Sequence, residues 1–270
     1  MVWRQPLARM SALRNHLTGA FALSLSLGLA GFVRAAPEPA EASTARAAAP
    51  LTNTPIREIS PGVLGVGQVR LHKERKTITF PAVLNMNAGI VEYLLVASFG
   101  KTHESVLRTE VDPYQIHVAM LLLGAQGAGT NAFPTEPDQP LPGDRVTIET
   151  AWTTDGQEHR RRGEELVYNR KTRTPLSPGP WIYNGSHIVE GAFIAQLDGS
   201  IVSVITDPNA LMNNPRPGHE DDDLWMVRST GLPDIETPVR VTFQLRETNV
   251  PSRSLPAVPP PLATTNAPSP

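Results

Sequence analysis

Apolar residues recur at every second position through much of the chain between residues 61 and 248, a period that places strands. Residues 63–71 and 77–84 make the first pair, with Val69 and Leu71 facing Ile78 and Phe80 across a charged turn at 72–76. Pro81 has no N–H to give to a ladder, so the second strand is expected to end there or to run along a sheet edge. Residues 90–97 are apolar except for Glu92, the pattern of a strand covered on both faces. Residues 145–153 alternate through Val146, Ile148, Thr150 and Trp152, and the pair Asp155-Gly156 then offers a tight turn. A second hairpin is expected from 192–197 through Asp198-Gly199 to 201–205. Val239, Val241, Phe243 and Leu245 mark a final strand over 238–245.

Helical signals are fewer. Asp112-Pro113, the run 114–123 and Gly124 supply a cap, a proline at the first helical position and a glycine stop, which predicts a three-turn helix. Its interior polar residues, Gln115 and His117, lie about 200° apart on the wheel, so the helix is expected to be sandwiched. Short helices are expected at 163–169 and from Asp207-Pro208. Residues 124–143 are rich in Gly and Pro and are expected to form a long loop inside one domain, with a linker at a domain boundary as the alternative. The pattern implies an α+β fold, β-rich, with a mainly antiparallel sheet, one buried three-turn helix and one or two short helices. It shows no internal repeat and no strand–helix alternation of the doubly wound kind.

Composition adds a compartment. Arg4, Arg9 and Arg14 precede an apolar run of about 17 residues at 17–33 and then Ala35 and Ala36, the three-part pattern of a cleavable secretory leader over residues 1–35. No later segment approaches the ~18 apolar residues of a membrane span, so the mature chain is expected to be a soluble periplasmic or extracellular protein. Residues 36–60 are rich in Ala, Pro and Glu, and 249–270 in Pro, so both are expected to be disordered around one domain at 61–248. Cleavage would remove four arginines and no acid, leaving 20 Lys+Arg against 26 Asp+Glu, a balance that argues against nucleic acid as partner. An envelope protein or cell-wall component is the expected partner class. The chain has no cysteine, which excludes an iron–sulfur cluster, a thiolate zinc site and a cysteine nucleophile.

Three stretches carry candidate chemistry. Glu92, Lys101, His103, Glu104, Ser105, Asp112 and His117 lie close in sequence; they read either as caps, turns and satisfied core groups or as an acid–base or divalent-metal site built on His103, Glu104 and His117. No cofactor is otherwise expected. Trp181, Tyr183, Asn184, Ser186 and His187 form either a strand entering a turn or an aromatic platform for a glycan. The acidic run His219 to Asp223 lacks the alternating pattern of a calcium loop and is expected to be solvated, as is the Arg160-Arg161-Arg162 run. No G-x-S-x-G, phosphate loop or dinucleotide fingerprint is present.

The stretch from Gly62 to Ala125, with its GKTHES, DPY and LLLG portions, resembles the YdjY-domain family of bacterial exported proteins, and the similarity continues through WIYNGSHIVEGAFIAQLDGSIVSVITDPNALMNNP to about residue 246. The resemblance implies that one domain spans both halves, and it implies no mechanism. The residues themselves favour a non-catalytic binding or structural module of the envelope over a metal-dependent enzyme.

Overall fold

The computed structural model describes residues 54–246 apart from 130–132, 135, 137 and 138. The expected leader, most of the linker and the tail lie outside the described residues. Strands β1 (Ile56–Ser60), β2 (Val63–Val66), β3 (Val69–His72) and β4 (Thr77–Leu84) form an antiparallel meander. Next come β5 (Tyr93–Ala97), β6 (Ser105–Thr109) and helix α1 (Pro113–Leu122). A hairpin of β7 (Asp144–Thr154) and β8 (Gln157–Arg162) leads through a 3-10 turn at Gly163–Leu166 to the short strands β9 (Val167–Asn169), β10 (Thr174–Pro175), β11 (Trp181–Tyr183), β12 (Ile188–Val189) and β13 (Ala192–Phe193). Helix α2 (Ile194–Asp198) precedes β14 (Ser200–Ser203), β15 (Met212–Asn213), β16 (Trp225–Val227) and β17 (Pro238–Leu245).

Eight strands close on themselves in the order β4-β17-β7-β11-β15-β14-β5-β6 and back to β4. A barrel of this number is just wide enough for its interior to be filled by side chains. Leu94, Val96, Val146, Ile148, Trp181, Tyr183, Val241 and Phe243 are all buried. Phe80 and Phe243 meet edge to face, centroids 5.1 Å apart at 83°. Helix α1 packs on β2, β3 and β4 and also on α2, with Tyr114 and His117 against Phe193, while Leu121 and Leu122 near its end stay half exposed.

The expected α+β fold is thereby corrected: the domain is a β-barrel of mixed strand direction. Strands β5 and β6 run parallel, as do β14 and β15. Hydrophobic alternation reports which face of a strand is buried and is silent on the direction of its neighbour. Parallel neighbours also usually need a crossover of a dozen or more residues; here the returns span only 98–104 and 204–211, short enough to look like turns.

Five further expectations change for local reasons. Residues 192–197 do not form a hairpin with 201–205, because the chain coils into α2 and leaves it through Gly199 in the left-handed region, and β14 pairs instead with β5. Asp207-Pro208 opens a turn and not a helix, and Val167–Asn169 is a strand against β16. Residues 56–60, expected in the linker, form β1 on β2. Pro81 neither ends β4 nor lies on an edge. Its carbonyl accepts the Thr109 hydroxyl at 2.6 Å, so its N side faces the gap where β4 has left β3 and not yet met β6, and no ladder bond is lost.

Because Phe243 sits on the strand between β4 and β7, Phe243→Ala is expected to cost about 3–5 kcal/mol, read as a lower urea midpoint with an unchanged slope. A loss below about 1 kcal/mol would show that this strand is not central to the core.

Candidate functional site

The residues expected to cluster between 92 and 117 separate into three places. The first is the pair of parallel returns. Glu92 donates its N–H to the Glu104 carbonyl at 2.9 Å and its carbonyl accepts from the Val204 N–H at 2.7 Å, so the backbone of one residue stitches both returns together. Next to it, the Tyr93 hydroxyl donates to Asp207 Oδ2 at 2.9 Å and accepts from Lys101 Nζ at 2.8 Å. Lys101 also lies over the Tyr93 ring and 3.8 Å from the Glu104 carboxylate. Burial, followed by the Glu104 carboxylate, raises the pKa of Glu92, against which Lys101 acts. Burial and Asp207 push the Tyr93 phenol up. His103 reaches Glu104 at 3.6 Å but is 79 % exposed, and Ser105 is fully buried, its hydroxyl donating to the Leu107 carbonyl. These groups hold two unusually short crossovers side by side.

Asp112 stands at the N-cap of α1, yet its carboxylate takes Gln115 and Gln196 side chains instead of a helical N–H. His117 is in a third place. Its Nδ1 shares a 2.8 Å hydrogen bond with the Tyr183 hydroxyl, and Phe193 lies 4.7 Å from its ring. Burial lowers its pKa to about 4, so it is neutral at pH 7. His117 is thus engaged away from His103 and Glu104, and among the described residues no group of three His, Asp or Glu side chains is arranged to hold a metal.

Trp181 and Tyr183 are completely buried. Stacking on a sugar needs an exposed ring face, and neither ring offers one. Asn184 is internal as well: it donates to the Pro142 carbonyl at 2.6 Å and accepts from Asn213 at 2.8 Å. The Gly143 backbone presses on this segment so closely that a Cβ would sit 2.1 Å from the Tyr183 carbonyl oxygen. Ser186 binds the Asn209 carbonyl at 2.6 Å, and only His187 is exposed. In the acidic run, His219 bonds the Thr206 hydroxyl and Asp221 pairs with Lys171 at 2.7 Å.

A different surface emerges from the register. On β4 and β17, core residues alternate with Thr77, Thr79 and Pro81 and with Arg240, Thr242 and Gln244, which point outward. Pairing sets Arg70, Thr79, Thr242, Glu149 and Arg162 side by side across β3, β4, β17, β7 and β8. Pro81, Arg240, Ala151 and Arg160 form the next row. His72, Thr77, Gln244 and Thr147 form the row on the other side. A cleft of about 580 Å³ draws Arg70, Thr79, Pro81, Arg240, Ala151 and Glu158 from all five strands, so the face is concave. A second cleft of about 620 Å³ is lined by Arg75, Thr147, Arg162, Thr242, Gln244 and Arg246. The hydroxyls of Thr79 and Thr242, one from each cleft, touch at 3.3 Å, so the two clefts adjoin as one trough.

Within the trough Arg160 binds Glu149 and Glu158, each at 2.9 Å, and Arg240 also pairs with Glu158. These hydrogen bonds, from Arg160 first, lower the Glu158 pKa. Arg162 is 2.7 Å from the buried Glu164. Arg70, Arg75 and Arg246 form no ion pair among the described residues. The trough escapes sequence reading because its members come from five strands. The outward Thr77/Thr79 and Thr242/Gln244 alternation was its one visible trace.

Residues 69–244 match the YdjY domain. The chain belongs to the YdjY domain family. No curated protein and no solved structure matches it. The YdjY stretch begins at the first residue of β3 and ends one residue before the end of β17, so it contains every barrel strand almost whole and leaves β1 and β2 outside. Both short returns lie within it, and so does the trough apart from Gln68 at one margin and Arg246 at the other.

The two titrating groups give opposite pH behaviour. His117 holds its proton less tightly folded, near 4, than unfolded, near 6.5, so its contribution is complete above about pH 6.5 and is lost as pH falls toward 4. A gap of that size is worth about 3 kcal/mol at most. His117→Gln is expected to flatten the urea-measured stability between pH 6.5 and 4, and an unchanged profile would show that His117 does not govern it. Glu92 holds its proton more tightly folded than unfolded, so its ionisation costs stability as pH rises. Glu92→Gln, which mimics the protonated form, is therefore expected to raise Tm at pH 7 and to have little effect at pH 4.

Proposed function

We propose that this YdjY domain is a non-catalytic binding module exported to the bacterial envelope, and that it recognises its partner through the outer trough. The observation that carries this reading is a concave five-strand surface on which Arg70, Arg75 and Arg246 have no ionic partner among the described residues. Guanidinium groups left in this way at a concave surface are available for a ligand, since each offers a fork of donors that matches an oxyanion. The barrel interior favours the same reading from the other side. It is filled with apolar side chains, so recognition falls to the exterior. The polar side chains near the parallel returns, Tyr93, Lys101 and Asp207, bond one another and tie the returns together, which supports a structural reading of that cluster. The basic, apolar and small-residue sequence of 1–36 supports export.

Two measurements test the proposal. Residues 1–60 fused to a reporter enzyme that is active only outside the cytoplasm should give activity, abolished by Leu25→Asp with Leu27→Asp; activity retained in that variant would overturn export by this leader. In sedimentation with isolated envelope, the Arg70→Ser/Arg75→Ser/Arg246→Ser variant should bind at least tenfold more weakly than the parent at equal thermal stability. Equal binding by both, or no binding by the parent, would remove the trough from the function.

A further inference from the structure

The trough's chemistry specifies the kind of polymer that fits it. We propose that it binds a polysaccharide strand bearing carboxylates, a uronate-type glycan, laid along β17; this rests on the reading of the trough as the binding surface. Three features of the surface meet in that ligand and in no simpler one.

The first is charge placement. Guanidiniums without an ionic partner among the described residues sit at separated points, Arg70 in one cleft and Arg75 and Arg246 in the other, with the Thr79–Thr242 hydroxyl pair between them. Separated cations suit a polymer whose carboxylates are spaced apart by sugar rings, each taken by a bidentate guanidinium. A more densely charged polyanion that lacks hydroxyls, such as a polyphosphate, is disfavoured, because Glu74, Glu149 and Glu158 line the same trough and the whole chain carries net charge -2. The second feature is hydroxyl chemistry. Threonine hydroxyls and Gln244 both donate and accept, and the carboxylates accept only, so together they match the many donors and acceptors of sugar hydroxyls. An acidic peptide, whose backbone seeks a sheet edge and not a sheet face, has no such set to offer. The third is the floor. Pro81, Pro238 and Ala151 give apolar ground between polar rows, where the C–H face of a sugar ring can rest. The eight residues of β17 extend the surface over roughly 26 Å, enough for a chain of several sugars.

The test uses the whole exported chain in calorimetric titration against polygalacturonate, the same polymer methyl-esterified, and poly-glutamate. Binding is expected to polygalacturonate and to weaken at least tenfold on esterification and again with rising salt. Arg70→Ser/Arg75→Ser/Arg246→Ser should lose at least tenfold, and the corresponding triple Arg→Lys variant should recover part of it, since charge returns without the fork. Thr79→Val with Thr242→Val should weaken polygalacturonate with every charge left in place, and an unchanged far-ultraviolet spectrum separates these effects from misfolding. Equal affinity for the esterified polymer, tighter binding of poly-glutamate, or no binding of polygalacturonate would overturn the ligand assignment. The envelope sedimentation comparison decides separately whether the trough is a binding surface, so loss of the ligand class and loss of the surface give different results.

Discussion

Barrel closure rests on a few short strand pairings. Strand β4 lies against β17 along nearly its whole length, but only Val83 and Leu84 reach Arg108 and Leu107 of β6 to complete the ring. The ring is equally narrow at β15, which holds β11 and β14 through two residue pairs each, so the barrel depends on both places being reached by strands that follow the short returns 98–104 and 204–211. Closed barrels leave no unpaired edge within the ring. The remaining strands are attached to it: β1, β2 and β3 extend from one end of β4, and β8 extends from β7.

The same constraint explains where the polar residues went. Two parallel crossovers of seven and eight residues leave many backbone groups without strand partners, and buried groups of that kind cost on the order of 1–3 kcal/mol each. Glu92, Asn85, Asn213 and Asn214 meet this demand by bonding return-segment carbonyls and amides. The side chains of Tyr93, Lys101 and Asp207 tie the returns to one another. A cluster of ionisable residues that resembles an active site in the sequence is thus the means by which a tight topology is satisfied. The interior is filled with apolar side chains, while the outward side chains that alternate on β4 and β17 are free of packing duty.

Much of the local structure was legible. The β3–β4 pairing of Leu71 with Ile78, the β7–β8 turn at Asp155-Gly156, the last strand and helix α1 with Pro113 at its first position all follow from period, turn chemistry and capping. The candidate sites were less so. Trp181 and Tyr183 fall on a strand whose neighbours on both sides cover them, and His117 meets Tyr183 from 66 residues away, a partner no local pattern indicates. Arg162 and Arg240 became parts of one surface only when Glu149 and Thr242 were set in register between them.

By itself the sequence determined which residues are buried along β3, β4, β5, β7 and β17, the family to which residues 69–244 belong, and the exclusion of cysteine-based chemistry. It could do so because side-chain period, turn propensity and composition are local properties of the chain. The direction of neighbouring strands, the closure at β4 and β6 and the assembly of the outer trough were decided by tertiary structure alone. Each depends on pairings between residues far apart in the chain, and a one-residue change in register would turn every side chain of a strand to the opposite face.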